Sequence, residues 1–275
     1  MSAPKTNALR VGSVPYLVGR PLDHGLGDEP GIQLHHAVPA RLIEQLRAGE
    51  IDVAMVSSIE LFRTRGYRYI DGIAVAGESY VGSVQVFLRK PIQDVRSIAM
   101  DPSSRAAAAL TKTLLQDRKG GPPRYEEVPL GEDPRERTDT DAWLRIGDPA
   151  LRETLTIDAP AWNPSEEWRR RTGLPFIFAA WIVRSDVDIE PHLGAFTRAR
   201  EAGRASIKEL AAQAAQYRER MGDAEKVVLA TLITYIESIG GSAALVADWA
   251  VTIVPRGNTV STKKFDEYYF APYGQ

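Results

Sequence analysis

The segment Ile98-Ala99-Met100-Asp101-Pro102-Ser103-Ser104-Arg105-Ala106 carries the strongest local chemistry in the 275-residue chain. An apolar strand that ends in hydroxyl residues and then opens a helix presents free backbone N–H groups and the positive end of a helix dipole. That arrangement receives anions. Arg105 adds a guanidinium able to grip a carboxylate through two parallel bonds. Serines at such a position also cap their own helix, and from this segment by itself both readings of Ser103 and Ser104 stand. Ser57-Ser58 repeats the arrangement at the end of another strand. Two such ends facing one cleft suit a ligand with two carboxylates; two ordinary N-caps are the alternative. Gly77 to Ser83 reads as a loop in which Gly82 lets the backbone approach a ligand closely. Ser83, at the start of the next strand, is a candidate contact, with plain turn chemistry as the other reading. Tyr16 and Arg20 lie in the first strand-to-helix loop, and open α/β sheets bind ligands outside the carboxyl ends of their strands. Arg20 reads equally as a surface arginine. Asp148, before Pro149, is either a turn former or a cleft acid, and Asp52, at the opposite strand end, reads as structural.

Other chemistries lose their support. His35 and His36 are adjacent and point apart, while His24 and His192 are scattered, so no metal site is expected. The chain has no cysteine, which removes disulfides, thiolate nucleophiles and Cys-ligated metal centres. No G-x-G-x-x-G, Walker A or nucleophile-elbow motif is present, so nicotinamide, ATP and hydrolase readings are unsupported. No cofactor is expected. Lys and Arg number 34 against 36 Asp and Glu, a net charge of −2, whereas a nucleic-acid binder brings a basic excess. No run of about 18 apolar residues exists, so no membrane span is expected. The first nine residues are polar and lack the apolar region of a secretory signal, which makes a cytoplasmic location the expectation.

The candidate residues need a scaffold that brings strand ends together. Residues 9–14 form an apolar run broken by Pro15-Tyr16. Gly19-Arg20-Pro21 reads as a turn, because Pro21 biases Arg20 away from the helical region. A helix is predicted over 39–47, with Pro39 at its first position, Leu42, Ile43 and Leu46 at helical spacing and Gly49 ending it. A strand follows at 51–56, then a short helix capped by the Ser57-Ser58 pair. Further strands are predicted over 83–88, 98–101, 142–146 and 174–183, with an Ala/Leu helix over 105–116. From Ile189 the pattern turns helical: Ser206 and Glu209 are spaced as a capping box, and a second helix runs from about Asp223 to Gly240-Gly241. Alternating strands and helices predict an α/β protein with parallel sheets flanked by helices. At about 150 residues per domain the length suits two domains. Two lobes around a cleft and a single enlarged α/β domain both fit.

Several segments together resemble one family. Val11-Gly12-Ser13-Val14-Pro15-Tyr16-Leu17, Pro39…Leu42…Leu46…Gly49-Glu50-Ile51-Asp52-Val53-Ala54, Gly82-Ser83-Val84 and Ser103-Ser104-Arg105 occur in its order. So do Ile146-Gly147-Asp148-Pro149-Ala150-Leu151 and Glu167-Trp168…Thr172-Gly173-Leu174-Pro175-Phe176-Ile177-Phe178-Ala179-Ala180-Trp181, the two most specific runs. The chain is similar, over roughly its whole length, to the MqnA/MqnD family, and in particular to the chorismate dehydratases of the futalosine pathway of menaquinone biosynthesis. The resemblance implies a two-lobed type II periplasmic-binding-protein-like fold. Each lobe would be a mostly parallel sheet flanked by helices, with the ligand cleft between. Lobe 1 is expected at 1–88 plus 184–275 and lobe 2 at 89–183.

The resemblance further implies a cytoplasmic carbon–oxygen lyase that converts chorismate to 3-[(1-carboxyvinyl)oxy]benzoate plus water, without metal or organic cofactor. Ser83 matches the family's strand start and is the implied catalytic residue. Tyr16, Val18, Arg20, Ser57, Ser58, Gly82, Ser103, Ser104, Arg105 and Asp148 are expected around a small, chorismate-like dicarboxylate. Two places depart from the family pattern: Val18 stands where Asn is usual, and Ala106-Ala107 where Thr-Ser is common. A charge-assisted hydrogen bond is worth roughly 1.5–3 kcal/mol, so these changes call for a replacement group, and Arg20 is the expected one. A non-catalytic or differently specific binding protein for a small cyclic or aromatic carboxylate is the alternative on the same scaffold.

Overall fold

The computed structural model describes residues 8–15 and 19–210 and a short strand at 260–261, apart from the side chains of Asp148 and Leu155. Tyr16, Val18 and the helix expected from Asp223 to Gly240-Gly241 lie outside the described residues.

The chain forms two mixed sheets flanked by helices, so the class is α/β as expected. β1 (Leu9–Ser13) pairs in parallel with β2 (Ile32–His36) and β3 (Val53–Ser57). Between β2 and β3, α2 (Pro39–Ala48) starts on its proline, buries Leu42, Ile43 and Leu46, and ends at Gly49 with φ 73°. That left-handed conformation favours glycine. β10 (Phe176–Val183) joins β3 antiparallel, and β4 (Arg68–Gly77) joins β10 antiparallel. With β11 (Val260–Ser261) the order is β11-β4-β10-β3-β1-β2. The second sheet is built from β5 (Val84–Leu88), β6 (Ser97–Met100), β7 (Arg124–Glu127), β8 (Ala142–Ile146) and β9 (Ala161–Trp162), in the order β7-β6-β8-β5-β9. Here β6 runs parallel to β7 and β8, and β5 antiparallel to β8 and β9. Parallel pairing is thus confined to strands joined through helices; strands arriving from the other sheet enter against that direction.

Two strands beside the expected lobe limits join different sheets from the strands that precede them in the chain. Residues 84–88 belong to the second sheet and 176–183 to the first. The reason lies in burial on both faces. Trp181 and Val183 pack with Leu9, Val11, Val53 and Met55, while Ile182 packs on the opposite side with Leu42, Ile43 and Leu46. A strand buried on both faces takes a central place, and β10 lies between β4 and β3. The chain therefore crosses between the sheets at 77–84 and returns at 162–176.

Two local expectations change and one strand is added. Arg20-Pro21 starts a one-turn helix, α1 (Arg20–Asp23), because a proline in a first turn lacks only an N–H that the helix does not use. Ser57 ends β3, and α3 (Glu60–Arg63) has Ile59 at its N-cap without a side-chain cap bond. β4 was hidden by Asp71-Gly72, which interrupts its apolar pattern, and its pairing with β10 shifts register. The helices α4 (Arg105–Leu115), α5 (Gly147–Thr156), α6 (Pro164–Thr172) and α7 (Leu193–Ala205) complete the layers. In α7, Phe196 meets Trp181 edge-to-face at 5.1 Å, and Ser206 closes that helix while its carbonyl accepts from Leu210 N.

Asp52 is structural, as its position suggested. Its carboxylate accepts from Arg10 N at 2.9 Å, Nε at 3.0 Å and Nη2 at 2.6 Å. Burial opposes the charged form, but the Arg10 bonds outweigh it and hold the Asp52 carboxyl below its ordinary range. A carboxylate so held contributes stability above its unfolded-state pKa and loses it as pH falls through the folded one. Asp52→Asn should therefore lower the melting temperature at neutral pH and flatten the decline below about pH 4. Melting profiles of parent and variant that run parallel down to about pH 3 would contradict this assignment.

Candidate functional site

The expected site residues on the second sheet gather at one end of it. Val84 of β5 lies opposite Ile146 of β8, so the carboxyl ends of β6 and β8 meet the start of β5. Asp101, directly after β6 and 5% exposed, holds this end together. Its Oδ1 accepts from Ser103 N at 2.9 Å and from the Ser103 hydroxyl, and its Oδ2 accepts from Ile146 N at 3.2 Å. Ser104 caps α4, its Oγ accepting from Ala107 N at 3.0 Å. Gly82 and Ser83 form the tip of a turn closed by Val84 N donating to Val81 O at 3.0 Å. Gly147 N, the first amide of α5, donates to Ser83 O at 2.8 Å. α5 has no side-chain cap, which leaves its N-terminus as the uncapped helix start beside Ser83.

The first sheet contributes the carboxyl end of β3. Ser58 is lashed to β10: its N donates to Phe178 O at 3.1 Å and its Oγ to Ile177 O at 2.7 Å. Ser57 Oγ is buried without a hydrogen-bond partner, as is Ser13 Oγ at the end of the neighbouring β1. Glu60, whose side chain is 0% exposed, reaches across. Its Oε1 accepts from Arg105 Nη1 at 3.0 Å and its Oε2 from Arg47 Nη2 at 2.5 Å. One buried carboxylate therefore joins the end of β3 to the start of α4. Two guanidiniums on one carboxylate leave the cluster with one net positive charge, and each arginine uses a single nitrogen on Glu60. Nearby, burial above all pushes the Tyr67 phenol up, with Arg47 and Glu60 acting on it in opposite directions. Beneath the ion pairs, Ala106, Leu110 and Leu114 of α4 pack on Trp168 and Phe176, with Ile59 and Phe178 alongside.

The structure thus brings Gly82, Ser83, Ser103, Ser104 and the backbone of Asp148 to one end of the second sheet, and Ser57, Ser58 and Arg105 to the junction with the first. Ser103 and Ser104 spend their hydroxyls on local bonds, the capping reading for Ser104, and Ser58 spends its own on the β10 carbonyl of Ile177. Arg20 is exposed at the start of α1, with no side-chain hydrogen bond or ion pair among the described residues. Ala106 and Ala107 are buried at 3% and 0% in two apolar clusters. Their methyl groups fill the core, so small size at these positions serves packing.

Three residues that organise the site were given no role in the sequence reading. Asp101 stands two residues before Ser103, a spacing suited to a local turn. Asn163 precedes Pro164 and Glu166, which is the signature of a helix start, and its Oδ1 accepts from Glu166 N at 3.0 Å. Glu60 had no sequence signal, since its partner Arg105 is 45 residues away.

A family model described as menaquinone biosynthesis matches residues 9–240. The chain belongs to the menaquinone biosynthesis family. Among relatives of this menaquinone biosynthesis protein, the chorismate dehydratase of Thermus thermophilus is 31% identical over 224 residues, 72% of this chain and 80% of that protein. The chorismate dehydratase of Campylobacter jejuni subsp. jejuni is 30% identical over 164 residues, 60% of this chain and 58% of that protein. The crystal structure of the periplasmic aliphatic sulphonate binding protein SsuA from Escherichia coli superposes with a TM-score of 0.55 at 15% identity, covering 84% of this chain and 83% of that one. The menaquinone biosynthesis chain therefore has a periplasmic-binding-protein-like fold. Among its described residues no helix is long and apolar enough to cross a membrane.

Proposed function

We propose that this chain is a chorismate dehydratase, a hydro-lyase that removes the ring hydroxyl and a neighbouring ring proton of chorismate as water. The observation that carries the reading is the 31% identity to the Thermus enzyme over 72% of the chain. The chemistry suits the site. As the ring C–H bond breaks, its electron pair forms the last double bond of an aromatic ring while the C–O bond breaks, so the substrate supplies the driving force. The protein has to orient two carboxylates and stabilise the departing oxygen, which fixed donors and dipoles achieve. In this reading Arg105 offers its solvent-facing edge, 39% of the side chain being exposed, to one carboxylate. Ser57 supports the same end of the cleft. Ser83, beside the uncapped start of α5, donates to the leaving oxygen as the catalytic residue. The substrate's own side-chain carboxylate takes the ring proton and passes it to the departing hydroxide, which leaves as water, so no single Asp or Glu of the chain is required as base. The protein works on a small dicarboxylate in the cytoplasm, within two lobes that follow the two sheets.

The test is incubation of the purified protein with chorismate, followed by chromatography for the aromatic ether, with one equivalent formed per chorismate consumed. Product formed faster than in buffer is expected. Chorismate bound but returned unchanged would replace the enzyme with a binding protein on the same scaffold.

A further inference from the structure

The two segments that carry the chain between the sheets are tied to one another by a single side chain. Asn163 is 5% exposed and uses its whole amide. Nδ2 donates to Val81 O at 2.9 Å and to Val84 O at 3.2 Å. Oδ1 accepts from Glu166 N at 3.0 Å and Val81 N at 3.4 Å. The Nδ2 bonds clasp the turn that carries Gly82 and Ser83; the bond from Glu166 caps α6 at the other crossing. Packing leaves little slack beside this clasp. A Cβ on Gly77 would lie 2.3 Å from Val81 Cγ2 and 2.7 Å from Ser165 Oγ, so the outgoing crossing lies flush against α6. Ser83 itself is held through its backbone carbonyl, by Gly147 N. Its hydroxyl stands wherever the clasped turn puts it.

We propose that Asn163 is the positioning residue of Ser83: its buried amide holds both crossings in one register and so sets where the Ser83 hydroxyl meets the substrate. This inference rests on the dehydratase reading above. Asn163→Asp separates it from simple helix capping. A carboxylate keeps the acceptor for Glu166 N but cannot donate to Val81 O and Val84 O, so the cap survives while the clasp opens.

The experiment is a double-mutant cycle on chorismate turnover with parent, Asn163→Asp, Ser83→Ala and the double variant, each also melted. Positioning through Ser83 predicts that Asn163→Asp lowers kcat by about tenfold or more, with KM changed far less. It also predicts that the double variant stays within about twofold of Ser83→Ala, because the second change then has little left to remove. Losses that multiply in the double variant, or an Asn163→Asp protein that melts lower yet turns over like the parent, would overturn it. Should Asn163→Asp not fold, Asn163→Ser enters the same cycle, since its hydroxyl caps a helix but is too short to clasp the turn. A parent that makes no aromatic product overturns the dehydratase reading and this inference together, whereas an active parent with multiplying losses overturns this one alone.

Discussion

Ser83→Ala is expected to lower kcat/KM for chorismate dehydration by about 10- to 100-fold, the equivalent of one hydrogen bond to a charged group. The melting temperature should move by no more than about 2 °C. The separation of the two effects follows from how the residue is held. Its structural bond runs from Gly147 N to the Ser83 carbonyl, which alanine retains. No side-chain bond to the Ser83 hydroxyl exists among the described residues, so its removal strands no buried partner. Steady-state kinetics beside thermal melts reads both quantities. A fall in stability that matches the fall in turnover would make Ser83 a folding residue.

The largest stability effect is expected from Arg47→Met/Arg105→Met. Glu60 has a fully buried side chain, while those of Arg47 and Arg105 are 44% and 39% exposed. The penalty for breaking this cluster therefore depends on which member is left behind. Guanidiniums deprived of Glu60 regain water; a carboxylate deprived of both arginines stays in the interior without a counter-charge. Stranding such a charge costs about 3–5 kcal/mol. The double variant should lose that much in urea unfolding, and adding Glu60→Gln should return more than half of it. A double variant within about 1 kcal/mol of the parent would show that Glu60 is hydrated in solution.

Much of the frame could be read from the chain itself, because it is local. Pro39, the Leu42-Ile43-Leu46 spacing and Gly49 define α2 without help from any other element. Hydroxyl residues where a strand gives way to a helix led to Ser57, Ser103 and Ser104, and the structure does put these at or just after the carboxyl ends of β3 and β6, with Ser83 directly before the start of β5. What the sequence did not disclose depends on distant partners. Whether Ser104 offers its amides to a ligand or caps its own helix is decided by where its Oγ turns. Arg105 looks like a free anion receptor until Glu60 is found beside it. Asn163 reads as one more helix start, since nothing local marks Val81 as its second partner 82 residues away. Sheet membership was hidden for a similar reason: residues 84–88 and 176–183 have apolar patterns that any strand would show, and only pairing reveals which sheet each completes.

The exchange of strands between the sheets has a consequence for synthesis on the ribosome. Strands β5 to β9 span 84–162 without interruption, so one half of the molecule has all its pieces as soon as that stretch emerges. The other half does not. Its β3 and β4 are made early but wait for β10 to be inserted between them, and until residue 183 has left the exit tunnel both present unpaired edges. The later-made sheet is the first that can close, and the earlier-made strands are the ones in need of protection from neighbouring chains.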